Sequence, residues 1–343
     1  MSRQPNPVLA TRSRAGIIER VHHGRVAIVD GRSGDCAPVA ALGDIGAIFL
    51  PRSSCKILQA LPMVESGAAD AFRLSPRRLA LSCASHQGSD AHAAMTAEWL
   101  AEMELGEPDL MCGAQPSGDS ATRERMIRAG EAPCQLHNNC SGKHAGFLAL
   151  AKHLGAPTAG YVAPDHPVQK GVAAATAELA GEDLAGHAID GCSAPNFALS
   201  LEGLARAMAR IAAAETALTG ARREAAIRLR QAMAAHPFEV AGEGRACTGL
   251  MRAGEGRFAV KTGAEGAFIA ILPERGLGVA LKIDDGNSAA AECAMAGILV
   301  ALGALEADDP RIAEWLHPQE INRRGTICGG GEPAEAITGL RLS

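Results

Sequence analysis

Aromatic side chains are scarce in this sequence of 343 residues, because phenylalanine, tryptophan and tyrosine together make up only 3% of it. The formal net charge is -5, and the basic residues form no dense stripe. Nucleic-acid binding depends on basic groups that meet phosphates and, for single strands, on aromatic rings that stack on bases. Both features are missing, so we expect a small-molecule partner and no nucleic acid.

Long apolar runs are missing as well. No stretch reaches the roughly 18 residues that a membrane-spanning helix needs, and residues 1–7 lack the apolar centre of a secretory signal. We therefore expect a cytoplasmic protein with no membrane partner. The ten cysteines form no compact framework, and in a reducing compartment they should be thiols or metal ligands rather than disulfides.

Lysine is rare, with only six lysines among 33 basic residues. A guanidinium group does not lose its proton at accessible pH, whereas a lysine amine can. A chain that uses arginine almost everywhere is therefore expected to keep lysine where a neutral amine is needed. The six lysines are Lys56, Lys143, Lys152, Lys170, Lys261 and Lys282.

Hydrophobic periodicity predicts strands near both ends of the chain and helices in the middle. Residues 17–21 and 25–30, separated by His22-His23-Gly24, predict a strand hairpin. Further strands are predicted at residues 46–50, 79–83, 257–262, 267–272 and 278–283. Helices are predicted from residue 53 to 61, over 89–103, 144–154 and 168–179, across the alanine-rich stretch 196–235, and over 287–305.

This order favours an α/β (α+β) fold in which one mainly antiparallel sheet is built from N- and C-terminal strands. The last helix would cover the sheet, and a helical lobe would be inserted between its strands. We expect a single domain over residues 1–343, with the sheet lobe at about 15–50 and 255–305 and the helical lobe at about 85–240. The cleft between the lobes is the natural place for a site.

Ser53 and Lys56 form the first candidate for catalysis. Residues three apart share a face of a helix, so the Ser53 hydroxyl and the Lys56 amine can meet. A neutral lysine can take the proton of a serine as the serine attacks a carbonyl, which is the Ser-Lys form of nucleophilic catalysis. An exposed lysine one turn after a helix-capping serine would give the same tetrapeptide, so the pair needs support from elsewhere in the chain.

Support comes from Lys261-Thr262-Gly263, at the end of a predicted strand. Serine acyl-transferases of the penicillin-recognising type place a second amine beside the nucleophile with such a trio. Two ammonium groups in one cleft repel, which lowers the pKa of at least one of them and favours a neutral base. A plain strand end followed by a turn is the alternative.

Residues 82–89, Ser-Cys-Ala-Ser-His-Gln-Gly-Ser, form a compact polar segment. Ser85 could supply a second hydroxyl that relays a proton between the nucleophile and a lysine. Alternatively, Ser85 belongs to a turn. Ser89 is expected to cap the helix that follows, and Asn287 or Ser288 to cap the helix over 287–305.

A zinc site is suggested by residues 137–144, His-Asn-Asn-Cys-Ser-Gly-Lys-His, together with Asp190-Gly191-Cys192. Cys140 and Lys143 are one helical turn apart, and Cys192 would add a second sulfur. Two thiolates, a neutral amine and a water have a plausible count and geometry for zinc. The alternative is that these cysteines are core residues.

Taken together, these motifs resemble those of the rhizobial-type, or class 3, L-asparaginases, also called the L-asparaginase II family. The resemblance extends from about residue 15 to about residue 305, and Asn-Asn-Cys-Ser-Gly-Lys-His is its most specific part. It implies a fold similar to serine β-lactamases and penicillin-binding proteins, a homodimer, and hydrolysis of L-asparagine to L-aspartate and ammonia.

The resemblance also implies roles for individual residues. Ser53 would be the nucleophile with Lys56 beside it, and Ser85 the second serine, paired with Lys261. Cys140, Lys143 and Cys192 would bind a zinc ion near the substrate. The residues implied around the substrate or the metal are Arg52, His144 and Asp190.

Two rival functions remain open at this point. Another amide hydrolase on the same fold, such as a serine glutaminase or a β-lactamase-like enzyme, would share these residues, because a fold does not fix the substrate. One methylene separates glutamine from asparagine, which is worth only about 1–3 kcal/mol in a pocket. A non-catalytic zinc or amino-acid binding protein is the rival from a different class.

Overall fold

The computed structural model of the chain describes residues 5–342, and the strands of its main sheet come from both ends of the sequence. Residues 1–4, which belong to the segment examined for a secretory signal, lie outside this range. The strands are β1 (Val8–Arg14), β2 (Ile17–Asp30), β3 (Pro38–Leu42), β4 (Ile48–Phe49), β5 (His187–Ile189), β6 (Pro195–Phe197), β7 (Leu199–Ser200), β8 (Ala259–Thr262), β9 (Ala267–Leu272), β10 (Leu277–Ile283), β11 (Gln319–Ile321) and β12 (Ile327–Pro333).

The main sheet is antiparallel and has the strand order β11-β12-β1-β2-β10-β9-β8, with β3 also paired to β2. Strands β4 and β7 form a separate pair, and β5 and β6 form another. The predicted fold class, an antiparallel sheet made from N- and C-terminal strands, is confirmed. The sheet is wider than predicted, because β1, β11 and β12 extend it beyond residues 15–50 and 255–305.

The predicted hairpin at residues 17–30 is wrong, because these residues form one strand. The first half of β2 pairs with β1 and the second half with β10. Gly24 lies where the two halves meet, and a Cβ atom there would collide with the carbonyl oxygen of Lys282 and with the side chain of Leu9. The glycine therefore permits close packing of neighbouring strands rather than a turn.

Helices occupy most of the chain between β4 and β8. They are α1 (Lys56–Glu65), α2 (Ala68–Ala71), α3 (Pro76–Ser82), α4 (Asp90–Glu102), α5 (Ser120–Ala129), α6 (Ser141–His153), α7 (Pro167–Ala180), α8 (Leu201–Ala212), α9 (Ala214–Ala217), α10 (Gly220–Ala235), α11 (Pro237–Ala241) and α12 (Ala246–Ala253). Three more follow β10: α13 (Ser288–Ala301), α14 (Ala313–Leu316) and α15 (Glu335–Thr338). No helix within residues 5–342 combines the length and the apolar character that crossing a membrane requires.

The structure differs from the prediction at residues 79–83 and agrees with it at the helix caps. The predicted extended segment at residues 79–83 is instead part of α3, which Ser75 caps by accepting a hydrogen bond from the Arg78 backbone N–H, with Pro76 at the first position. The predicted cap Ser89 is confirmed, because its side chain accepts from the backbone N–H of His92. Of the two alternatives Asn287 and Ser288, Asn287 caps the last long helix and accepts from the backbone N–H of Ala290. Short polar residues mark the beginning of a helix, because their side chains accept a hydrogen bond from a backbone N–H of the first turn that has no partner within the helix.

The sheet is covered on both faces by helices. Helix α8 packs on β2, β9 and β10, and it approaches so closely that a Cβ at Gly278 would collide with its backbone. Helix α13 packs on β1, β9, β10 and β12, as predicted for the last long helix. In the helical lobe, α1 is buried against α6, α7 and α10. The 3-10 turn of Arg52–Cys55, directly before α1, lies against β8 and β9, so the start of α1 stands at the junction of sheet and helices.

Candidate active site

Two lysine amines converge on one serine hydroxyl. Nζ of Lys56 and Nζ of Lys261 each lie 2.9 Å from Oγ of Ser85. Both lysines are 1% exposed, whereas Ser85 is partly exposed and therefore accessible to a ligand. A serine hydroxyl has one hydrogen and two lone pairs, so it can exchange a proton with either amine. The arrangement can relay a proton between two distant parts of the chain.

Lys261 is the amine that favours the neutral form. Burial lowers its pKa to about 7, and the positive charge of Lys56 acts in the same direction. Its Nζ also donates to the carbonyl oxygen of Thr262, 2.6 Å away. Near pH 7 a substantial fraction of Lys261 is therefore uncharged and able to accept a proton.

Lys56 begins helix α1, directly after a 3-10 turn formed by Arg52–Cys55. Besides Ser85, its Nζ donates to the carbonyl oxygen of Ala84 and to Sγ of Cys140, 3.0 Å away. Ser53 lies one turn before Lys56, but in the described structure its hydroxyl makes no hydrogen bond to that amine. The structure thus brings Lys56 to Ser85, while the partly exposed Ser53 hydroxyl remains available to a ligand.

The Lys261-Thr262-Gly263 segment packs directly on the turn that carries Ser53. A Cβ at Gly263 would lie 2.6 Å from the carbonyl oxygen of Pro51 and 3.0 Å from the backbone nitrogen of Ser54. Only glycine permits this approach without a backbone shift. The end of β8 and the start of α1, more than 200 positions apart in the sequence, therefore form one surface.

Arg52 has a backbone conformation that is unusual for its residue type. Its φ of 52° lies in the left-handed region, which is costly for residues with a Cβ. Asn196, which is 2% exposed, holds this backbone from both sides: its Oδ1 accepts from Arg52 N at 3.1 Å, and its Nδ2 donates to Arg52 O at 3.3 Å. Asn196 thus fixes the residue immediately before Ser53.

The Arg52 side chain is held by Asp190. Nε and one terminal nitrogen of the guanidinium lie 2.9 Å and 2.8 Å from Oδ1 of Asp190. Burial opposes ionisation of Asp190, but the backbone N–H of Gly191 and the Arg52 charge together hold the pKa of Asp190 below its usual value. The site therefore contains a guanidinium and a carboxylate in fixed positions.

The three predicted zinc ligands, Cys140, Lys143 and Cys192, are buried and lie close together. Nζ of Lys143 donates to Sγ of Cys192 at 3.0 Å, and Nζ of Lys56 donates to Sγ of Cys140 at 3.0 Å. Interaction with the Cys192 thiol is the largest cause of a Cys140 pKa well below its usual value, and the charges of Lys56 and Lys143 lower it further. For Lys143, burial opposes the charged form, but Cys140 and Cys192 outweigh it and raise the lysine pKa.

These side chains have the chemistry of a zinc site. Within residues 5–342, no group of three histidine, cysteine, aspartate or glutamate side chains could hold a metal, so Lys143 would have to supply the third donor. Cys140 favours the thiolate that zinc prefers, and both sulfurs are at least 96% buried. Lys143 would release its proton on binding a metal, as donors to zinc must. The residues present therefore fit the ion.

His144 lies beside this cluster and contacts Tyr161, the single tyrosine of the chain. Nδ1 of His144 is 2.7 Å from the Tyr161 hydroxyl oxygen, which also accepts from the backbone N–H of Met111 at 2.9 Å. Burial lowers the pKa of His144 to about 4, so the ring is neutral near pH 7. His144 is thus a neutral ring whose orientation is set by a buried hydroxyl.

The thiol between Ser53 and Lys56 belongs to the core. Cys55 is 5% exposed and donates to the Arg52 carbonyl oxygen at 3.1 Å. Burial raises the pKa of Cys55 to about 11, so the nucleophilic thiolate is scarce at neutral pH.

Sequence patterns did not identify Asn196 or Tyr161. Asn196 lies in a short strand and gave no local signal. The only tyrosine of a chain poor in aromatic residues could have drawn attention to Tyr161, but its contacts with His144 and Met111 are long-range.

Comparison with protein families gives a match that covers most of the chain. The profile of a family described as L-asparaginase II matches residues 10–332. No curated protein matches the chain.

Among solved structures, that of Mglu in its native form has 14% identity and a TM-score of 0.47, over 84% of this chain and 66% of that chain. Mglu in its L-glutamate binding form gives 15% and 0.48, over 84% and 61%. A β-lactamase from Mycobacterium bovis gives 10% and 0.38, over 78% and 89%. The chain spans less than two thirds of the length of these two Mglu chains.

Proposed function

Because the chain belongs to the L-asparaginase II family, we propose that it hydrolyses L-asparagine to L-aspartate and ammonia through a serine acyl-enzyme. The observation that carries this proposal is the Ser85 hydroxyl, 2.9 Å from the amines of both Lys56 and Lys261. A neutral Lys261 can accept a proton through Ser85, and the chemistry needs such a base at neutral pH.

In the first half of the proposed reaction, Oγ of Ser53 forms a bond to the side-chain amide carbon of asparagine. The Ser53 proton passes through the Ser85 hydroxyl to neutral Lys261. The amide nitrogen then takes up this proton as the carbon–nitrogen bond breaks, and ammonia leaves. Backbone N–H groups near Ser53 would stabilise the oxyanion that forms in between.

In the second half, a water molecule attacks the acyl-enzyme. It gives a proton to Lys261 through Ser85, the ester bond to Ser53 breaks, and the Ser53 oxygen recovers the proton. L-Aspartate is released and every group returns to its starting state. Lys56 holds Ser85 in place from the opposite side throughout.

The charged groups around Ser53 would orient the substrate. Arg52 can attract the α-carboxylate of asparagine, Asp190 can attract its α-ammonium group, and His144 can contribute a hydrogen bond. A guanidinium and a carboxylate in one place suit an amino acid better than a neutral amide, because both charged ends of the ligand are matched.

Zinc is part of the proposal, with Cys140, Lys143 and Cys192 as its ligands. The ion would supply a fixed positive charge that helps to orient the substrate. We also propose, from the family resemblance, that the protein acts in the cytoplasm as a homodimer.

The test compares ammonia release from L-asparagine, L-glutamine and a chromogenic β-lactam. We expect release from L-asparagine by the wild type and none above background from Ser53→Ala or Ser85→Ala. Ser66→Ala, which removes a serine at the far end of α1, should retain activity. A reactive asparagine analogue should label Ser53. Normal ammonia release from Ser53→Ala, or labelling of Ser85, would refute the assignment of the nucleophile.

The same assay distinguishes the rival functions. Faster release from L-glutamine would indicate a glutaminase, and turnover of the β-lactam alone would indicate a β-lactamase-like enzyme. No turnover of any of the three, together with binding of zinc or of an amino acid, would favour a non-catalytic binding protein.

A further inference from the structure

The hydroxyl of Tyr161 is buried between two partners. Tyr161 is 0% exposed, and its hydroxyl oxygen lies 2.9 Å from the backbone nitrogen of Met111 and 2.7 Å from Nδ1 of His144. The Met111 N–H can only donate, so the Tyr161 oxygen accepts this bond. The hydroxyl hydrogen is left, and within residues 5–342 its one acceptor is Nδ1 of His144.

The proton positions on His144 follow from this arrangement. A neutral imidazole carries one proton, and a nitrogen that accepts a hydrogen bond cannot hold it. If Nδ1 accepts from Tyr161, the proton is on Nε2. In the opposite tautomer, Nδ1 would donate to the tyrosine oxygen, and the hydroxyl hydrogen would lose its acceptor inside the protein, which costs free energy.

The other ring nitrogen, Nε2, is buried and has no hydrogen-bond partner in the described part of the chain. His144 directly follows Lys143, whose Nζ lies 3.0 Å from Sγ of Cys192. An unpaired buried donor is rare in folded proteins, so Nε2 is expected to gain an acceptor when the site is complete.

We propose that Tyr161 fixes His144 as the tautomer protonated on Nε2, which makes His144 a hydrogen-bond donor through Nε2 and excludes it as a metal ligand. The tautomer depends only on the contacts of Tyr161, whereas the exclusion of His144 as a metal ligand rests on the zinc site of the proposed function. A histidine binds a metal through a lone pair. To present one at Nε2, His144 would have to move its proton to Nδ1 and leave the Tyr161 hydroxyl without an acceptor.

His144 and its neighbour Lys143 would have different roles at the metal. Lys143 and the two cysteines would be the protein ligands of zinc, whereas His144 would donate a hydrogen bond beside them. Tyr161 is then a positioning residue, because it acts on the site only through His144. Hydrogen bonds of this kind orient and tune metal ligands, and their loss typically weakens metal binding about 10- to 100-fold.

Long-range proton–nitrogen NMR of protein labelled with ¹⁵N-histidine tests the tautomer directly. His144→Gln identifies the signals of His144 among the 11 histidines. We expect a protonated Nε2 and an unprotonated Nδ1, both without metal and after addition of zinc. A proton on Nδ1, or a zinc-dependent loss of the Nε2 proton, would overturn the proposal. The spectrum does not depend on turnover, so its outcome is separate from that of the asparaginase assay.

Tyr161→Phe provides the second measurement, because it removes only the hydroxyl. We expect the two nitrogen signals of His144 to move toward values typical of exchanging tautomers, and the Kd for zinc to rise about 10- to 100-fold. Thr176→Val removes a comparable buried hydroxyl in α7 and should change neither. An unchanged tautomer in a folded Tyr161→Phe protein would overturn the role of Tyr161. If this variant does not fold, the wild-type spectrum still decides the tautomer.

Discussion

Nζ of Lys261 lies 2.9 Å from Oγ of Ser85, although the two residues are 176 positions apart in the sequence. Lys261 ends a strand of the sheet, whereas Ser85 lies in a loop of the helical lobe. The lysine is almost fully buried at this junction, which lowers its pKa to about 7. One contact therefore joins the two lobes and creates a base that functions at neutral pH.

The activity should depend on pH through Lys261. The neutral form accepts the proton, and its fraction rises as the pH increases through a pKa of about 7. We expect kcat/KM for L-asparagine to rise about tenfold per pH unit well below pH 7 and to level off above it. Measurement between pH 5.5 and 8.5, in buffers where the protein stays folded, checks this. A flat profile would exclude Lys261 as the base.

Lys261→Arg should inactivate the enzyme while it keeps a positive charge at the position. An arginine cannot become neutral at accessible pH, so the proton relay through Ser85 loses its acceptor. We expect kcat to fall about 10²- to 10⁴-fold. The control is Lys170→Arg, at an exposed lysine of α7, which should leave kcat unchanged. Equal losses in the two variants would contradict the assignment.

Gly263→Ala should disturb the turn that carries Ser53. The added Cβ would lie 2.6 Å from the carbonyl oxygen of Pro51, so one of the two backbones must shift. We expect the free energy of unfolding to fall by about 1–3 kcal/mol and activity to drop, as measured by urea unfolding and ammonia release. Gly34→Ala, where a Cβ would have open space, serves as control. A fully active Gly263→Ala protein would show that this close approach is not needed.

Asn196→Ala should lower kcat more than it changes KM, because Asn196 holds the backbone of Arg52 before Ser53. Its loss removes the acceptor of the Arg52 backbone N–H and one of the donors to the Arg52 carbonyl oxygen, which costs about 1–3 kcal/mol of stability. Steady-state kinetics and urea unfolding measure the two effects. Asn322→Ala removes a similar asparagine from an exposed turn and should have little effect. A rise in KM alone would point to substrate binding instead.

Cys192→Ser should abolish zinc binding without unfolding the protein. A serine hydroxyl is a much weaker zinc ligand than a thiolate, so one of the two sulfur ligands is lost. Elemental analysis of protein equilibrated with zinc should find about one zinc per wild-type chain and far less in the variant. Added zinc should raise the Tm of the wild type only.

Cys293→Ser, at a buried cysteine of α13, is the matched control for zinc binding, and it should keep the wild-type zinc content. Equal zinc content in Cys192→Ser and the wild type would exclude this site.

The sequence predicted the elements that depend on local interactions. The helix cap Ser89 was predicted, and that of α13 was narrowed to Asn287 or Ser288, because a short polar side chain satisfies a backbone N–H within three residues. Strand β9 was predicted with its observed bounds, because its apolar run ends at turn residues on both sides. The hairpin predicted around Gly24 was wrong, because a glycine that permits close strand packing looks the same in sequence as one that permits a turn.

The sequence by itself also determined which chemistry was available, since serines, rare lysines and cysteines in recognisable motifs are properties of residue type and spacing. The tertiary structure alone decided how these groups meet. It directed Lys56 to Ser85 and gave Lys261 its low pKa, because burial and neighbouring charge exist only once the lobes pack together. The partners of Asn196 and Tyr161 were equally out of reach, because a hydrogen bond between distant segments leaves no periodic trace in the sequence.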